Sequence, residues 1–122
     1  MGVKAVVATL AVLAFAAPAS GTGTSGLRGI VERSPTRPVC VVDEPCSAPA
    51  KDVGLVFARK GYRSVTTRTD VRGHYRVVLA PGVWSVRTPA APRVGTGLSP
   101  KTVRVYAGRF TAVDFEIDTG IR

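Results

Sequence analysis

The chain contains no asparagine and no glutamine in its 122 residues. Their absence excludes N-linked glycosylation and every carboxamide ligand. Histidine occurs once and cysteine twice, too few for a closed zinc site, and no cofactor is expected. Acidic side chains number 8 against 17 Lys and Arg, for a formal charge of +9 with histidine neutral. The longest uncharged apolar run, residues 5–17, falls short of the roughly 20 residues a membrane-spanning helix needs. What remains is a chain 45% hydrophobic and 20% charged, too apolar for a disordered tail. Its length supports one domain.

The first residues read as a leader. Met1 to Lys4 is positive, residues 5–17 are apolar, and Ala17-Pro18-Ala19 is a small-x-small tripeptide. That order matches a secretory signal peptide over residues 1–19, cleaved after Ala19. Residues 20–25, rich in Ser, Gly and Thr, are expected to be a flexible segment, and residues 26–122 a single β-sandwich domain. No membrane span would remain after cleavage. Export also gives Cys40 and Cys46 a role, because a pair this close outside a reducing cytosol is expected to form a disulfide. Metal ligation would need two further ligands, and the C-x5-C spacing is not the C-x-x-C of redox proteins.

From Gly26 onward the apolar residues recur with period two, and no helical stripe of useful length appears. Seven strands are expected, over residues 27–33, 53–59, 62–69, 74–80, 83–88, 101–106 and 110–118. Pro/Gly-rich loops fill residues 34–52 and 89–100. Asp70-Val71-Arg72-Gly73 suits a type I turn, and Pro81-Gly82 suits a type II turn. Short alternating strands of this number predict an antiparallel Greek-key β-sandwich, the architecture of immunoglobulin-like domains.

The stretch from Thr69 to Tyr75 (TDVRGHY) and the stretch from Leu79 to Val86 (LAPGVWSV) resemble the hallmark of carboxypeptidase regulatory-like domains. These are transthyretin-like (prealbumin-like) β-sandwiches of secreted and surface proteins. The likeness spans about Gly26 to Asp118. Pro38-Val39-Cys40, Pro45-Cys46 and the ending Asp118-Thr119-Gly120-Ile121-Arg122 further resemble a group of small bacterial secreted single-domain proteins. Within this motif Asp70, Gly73, Tyr75, Pro81, Gly82 and Trp84 have structural duties: turns for the first two and for Pro81-Gly82, plugs between sheets for the aromatics.

Catalytic patterns are scarce. The hydroxyisourate hydrolases of transthyretin type need two histidines, and only His74 is present; isopeptide-forming relatives need a first-strand Lys and an Asn or Asp on the last strand, and here the first strand carries Arg28. No phosphate loop or nucleophile elbow occurs. Asp114, Glu116 and Asp118 alternate with apolar residues and read as a solvated outer face. The chain is therefore expected not to be an enzyme; a small hydrolase centred on His74 is the disfavoured alternative.

One feature is left over. Residues 59–109 hold eleven Lys or Arg and one acid, Asp70. Arg68, Arg76, Arg87 and Arg104 are expected to point outward and form a polyanion-binding face. The partner of such a module would be an anionic cell-wall polymer, a polysaccharide or another exported protein. Nucleic acid is excluded for want of any recognition signature, and a monomer is expected. The alternative within binding is carbohydrate recognition of the starch-binding-like kind, with Tyr62, Tyr106 and Trp84 as candidates for an aromatic platform.

Overall fold

Side chains on a strand point alternately to opposite faces, so a period-two pattern sorts itself into a buried and a solvated face. The computed structural model describes residues 23–122. The expected leader, and Ser20 to Thr22 of the expected flexible segment, lie outside the described residues. Ten strands form: β1 (Gly26–Ser34), β2 (Ala48–Pro49), β3 (Gly54–Ala58), β4 (Val65–Arg68), β5 (His74–Val78), β6 (Gly82–Arg87), β7 (Leu98–Ser99), β8 (Thr102–Val105), β9 (Phe110–Ala112) and β10 (Phe115–Asp118). No helix occurs among the described residues, so none there is long and apolar enough to cross a membrane.

The strands form two sheets. One runs β4-β3-β6-β8 with every neighbour antiparallel. The other is organised by β1, whose first half pairs with β5 and β9 and whose second half pairs with β2 and β10, with β7 beyond β10. Buried side chains of the two inner faces meet in one core. Leu27, Val31, Tyr75, Val77, Phe115 and Ile117 come from the β1 sheet, and Leu55, Phe57, Trp84, Val86, Val103 and Val105 from the other. The Phe57 ring crosses the gap, 6.5 Å from Tyr75 and 6.3 Å from Phe115 between centroids. Each such large side chain contributes about 1.5–3 kcal/mol by leaving water.

The expectation of seven antiparallel strands is corrected in three ways. First, β1 lies parallel to both β9 and β10. Second, the last strand is interrupted at Val113-Asp114 without gaining a residue, since Leu27 pairs with Thr111 and Val31 with Phe115 at the same offset of 84 positions. At the break the Asp114 carboxylate, not a carbonyl, accepts the Ile30 N–H at 2.9 Å. Third, β2 and β7 are two-residue pairings inside the two proline-rich loops. Side-chain alternation reveals which residues face inward but not which strand supplies the neighbouring backbone, so parallel pairing and short bridges escape it.

The Asp70 turn closes as expected, with the Gly73 N–H donating to the Asp70 carbonyl at 3.0 Å and the Asp70 N–H to the His74 carbonyl at 2.9 Å. Gly73 has φ +81°, and a Cβ there would stand 2.5 Å from the Val31 carbonyl oxygen. This is a type I turn with a glycine bulge. The Asp70 turn joins β4 of one sheet to β5 of the other, and Pro81-Gly82 is not a hairpin turn either. The chain passes there from β5 in one sheet to β6 in the other, and Gly82 already pairs with Val105 of β8. Tyr75 and Trp84 are buried plugs as expected, and Trp84 donates its indole N–H to the Ala80 carbonyl at 2.9 Å. Ser25, expected to belong to a flexible segment, is buried and donates its hydroxyl to the Leu79 carbonyl at 2.6 Å. The Cys40–Cys46 disulfide is formed, with Cα atoms 5.5 Å apart.

Candidate functional site

All four expected polyanion-binding arginines are exposed, but they do not share one face. Arg87 of β6 and Arg104 of β8 occupy the outer surface of the four-stranded sheet. Arg68 lies at that sheet's edge on β4 and is spoken for: its Nε sits 3.0 Å from Asp52 Oδ1, and its Nη2 donates to the Asp52 carbonyl at 2.6 Å. Arg76 lies on the opposite sheet, on β5. A net charge counted along the chain cannot assign strands to sheets, and the crossing at Pro81 separates Arg76 from Arg87.

Around Arg76 the structure builds a group of residues that the linear charge count missed. Arg28 is the cross-strand partner of Arg76 in the β1–β5 register, and Ala112 of β9 stands beside Arg28 on the other side. The adjoining rows are Val78–Gly26–Phe110 and His74–Ile30, with Asp114 next to Ile30. The Arg76 guanidinium lies over the Phe110 ring, 3.9 Å from its centroid. Except for the Val78–Gly26–Phe110 row, these residues line, with Arg68, Thr67 and Asp70, an open groove of about 550 Å³. Arg28 precedes the basic segment, so the run of charge hid it. Its signal was the alternation after Leu27, which sends residue 28 outward.

The carboxylates in this groove hold backbone. Asp70 Oδ1 accepts the Arg72 and His74 N–H groups at 2.8 and 2.9 Å, and those bonds, His74 first, hold its carboxyl below the usual carboxylate range. Asp114 Oδ1 is taken by Ile30. The Tyr75 hydroxyl donates to the Val113 carbonyl at 2.6 Å, and burial, with the Asp114 charge second, pushes its pKa far up. Among the described residues no three His, Cys, Asp or Glu side chains gather as metal ligands would.

Asp118 departs from the expected solvated face. Its side chain is 17% exposed and accepts the Thr96 and Gly120 N–H groups, each at 2.9 Å, while Arg122 lies 3.1 Å away. It ties the loop before β7 to the chain end. Of the aromatic candidates, Tyr62 and Tyr106 are half exposed and Trp84 is buried. Both tyrosine rings are covered on one side by arginine, Tyr62 by Arg59 at 4.3 Å and Tyr106 by Arg109 at 4.7 Å. Tyr62 packs edge-to-face against Trp84, 5.5 Å between centroids, but Trp84 is buried and adds no exposed face to a platform.

No family model matches the chain, and no curated protein matches it. Among solved structures, a DUF3823 family protein from Parabacteroides merdae ATCC 43184 is similar at 16% identity and a TM-score of 0.47. The match covers 79% of this chain and 46% of that one, so this chain spans under half the length of that protein.

Proposed function

We propose that this chain is an exported, non-catalytic β-sandwich module that binds anionic polymer at the cell exterior. In this reading it is a carboxypeptidase regulatory-like domain of transthyretin type, carried out of the cell by residues 1–19. The disulfide between Cys40 and Cys46 fits an oxidising compartment. The observation that carries the reading is a surplus of arginine on outer strand faces. Arg28, Arg76, Arg87 and Arg104 are exposed, and none has an ion-pair partner among the described residues. Such charge raises the local concentration of polyanions, and it is screened by salt.

The experiment is retention of the full chain on purified envelope polymer across a salt series. Retention should fall steeply between low salt and about 0.5 M, where the screening length drops below about 5 Å. Binding that ignores salt, or no binding, overturns the proposal.

A hydrolase is the second reading, favoured by one observation: His74, Asp70, Asp114 and three arginines line the same groove. Against it, the two backbone N–H groups on Asp70 hold its carboxyl below the usual range and make it a weak base, and the chain has no second histidine.

A further inference from the structure

Directly opposed like charges on neighbouring strands repel, yet Arg28 and Arg76 are placed so by the β1–β5 register. Nothing offsets them: among the described residues neither guanidinium has an ion pair or an accepting oxygen, and residues 1–22 contain no Asp or Glu. Arg76 is nonetheless held in place by its stack on Phe110. Stacking uses the face of a guanidinium and leaves its N–H edges free. Two planar forks, each with five donors, therefore rise from directly paired backbone positions and line one open groove with Ala112.

We infer that the Arg28–Arg76 pair is a binding site for a phosphate group, and that the ligand is a phosphorylated polyol or sugar unit of an anionic polymer. This rests on the polymer-binding reading above and names the group recognised. A carboxylate has its two oxygens and their acceptor directions in one plane and is matched by a single arginine fork, whereas a phosphate presents oxygens in several directions and can accept from two forks that lie in different planes. The second part follows from the next row of the sheet. Asp114 spends Oδ1 on Ile30 and keeps Oδ2 as an acceptor, one two-residue repeat, roughly 7 Å, from the arginine row. An acceptor at that distance repels a second anion and accepts a hydroxyl. The ligand therefore carries its hydroxyls on one side of its phosphate.

The test is an NMR titration of the full chain with glycerol 3-phosphate, with methyl phosphate and glucuronate as comparison probes. Saturating shifts are expected at residues 28–30, 74–76 and 110–114, with glucuronate about tenfold weaker and methyl phosphate weaker than glycerol 3-phosphate. Arg28→Gln and Arg76→Gln should each weaken glycerol 3-phosphate about tenfold, while Arg33→Gln, on the same strand as Arg28 but outside the groove, should not. Thermal melting of each variant shows that it is folded. Equal loss in R33Q, or glucuronate binding as tightly as phosphate, overturns the site. Equal affinity for methyl phosphate overturns the polyol assignment. If glycerol 3-phosphate binds at this site but polymer is not retained, the polymer-binding reading fails alone; if polymer is retained undiminished by R28Q and R76Q, the phosphate site fails alone.

Discussion

The Arg59 guanidinium occupies the space that a side chain at Gly82 would fill: a Cβ on residue 82 would stand 2.2 Å from Arg59 Nη1. That vacancy lets Arg59 donate to the Pro81 carbonyl at 2.5 Å and lie over Tyr62. Gly82→Ala should therefore expel Arg59 and force an alanine into φ +137°. The expected cost is about 1–3 kcal/mol, since that backbone region strongly disfavours a side chain. Urea unfolding of G82A, R59A and the double variant checks it. The double variant should be less destabilised than the sum of the singles, because removing Arg59 clears the space.

Tyr75→Phe removes the hydroxyl that satisfies Val113 at the break between β9 and β10. The ring and its packing against Phe115 at 5.5 Å stay. A loss of about 1–2 kcal/mol is expected, the usual consequence of leaving a part-buried carbonyl without its donor. Chemical denaturation measures the loss, and an unchanged midpoint would count against this bond holding the break together.

Arg28→Gln is expected to raise stability slightly, by up to about 1 kcal/mol, because it relieves a directly opposed like-charge pair. The gain should shrink as salt is added, since the repulsion is screened. Melting temperatures at low and high salt give the comparison. A variant that loses stability at low salt would mean the two charges do not oppose each other in the free protein.

Asp118 sets an acid limit. Hydrogen bonding from Arg122, then from Gly120 and Thr96, holds its carboxyl far below the ordinary 3.8. The folded-state pKa is depressed, so its contribution is fully present above about pH 4 and is lost as pH falls toward the folded value. Asp118→Asn should lower the melting temperature at pH 7 and flatten its decline below pH 4. Parallel wild-type and variant curves in acid would show that Asp118 is not the group responsible.

Replacing Cys40 and Cys46 together by serine opens a short loop whose closure is worth about 2.4 kcal/mol in the chain-entropy model. The loop is exposed and keeps its Arg37–Glu44 ion pair and the Thr36–Cys46 backbone bond. The loss should thus not exceed that figure, and amide exchange should rise in residues 36–46 before the core. Unfolding of the whole domain in the reduced state would refute this locality.

Much of this was legible in the residues themselves. Alternation placed Leu55, Phe57, Tyr75, Val77, Trp84, Val86, Phe115 and Ile117 on inner faces, and all are buried. It did so because a strand has one geometric freedom at this level, up or down, and burial selects it. Turn chemistry at Asp70 and Gly73 was equally readable, since a positive φ and a side-chain acceptor are local demands. Asp118 was misjudged for the opposite reason: its partners Thr96 and Arg122 come from two different segments, one of them 22 residues away.

By itself, then, the sequence determined the strand-forming character of the chain, the inward faces, the Asp70 turn and the closeness of Cys40 to Cys46, because each depends on neighbours a few residues apart. Only the tertiary structure decided that β1 would run parallel to β9 and β10, that Pro81 would carry the chain between sheets, and that Arg28 would stand opposite Arg76. Those outcomes depend on backbone hydrogen bonds between segments up to 84 positions apart, and pairing at that distance is selected by the packing of both sheets together.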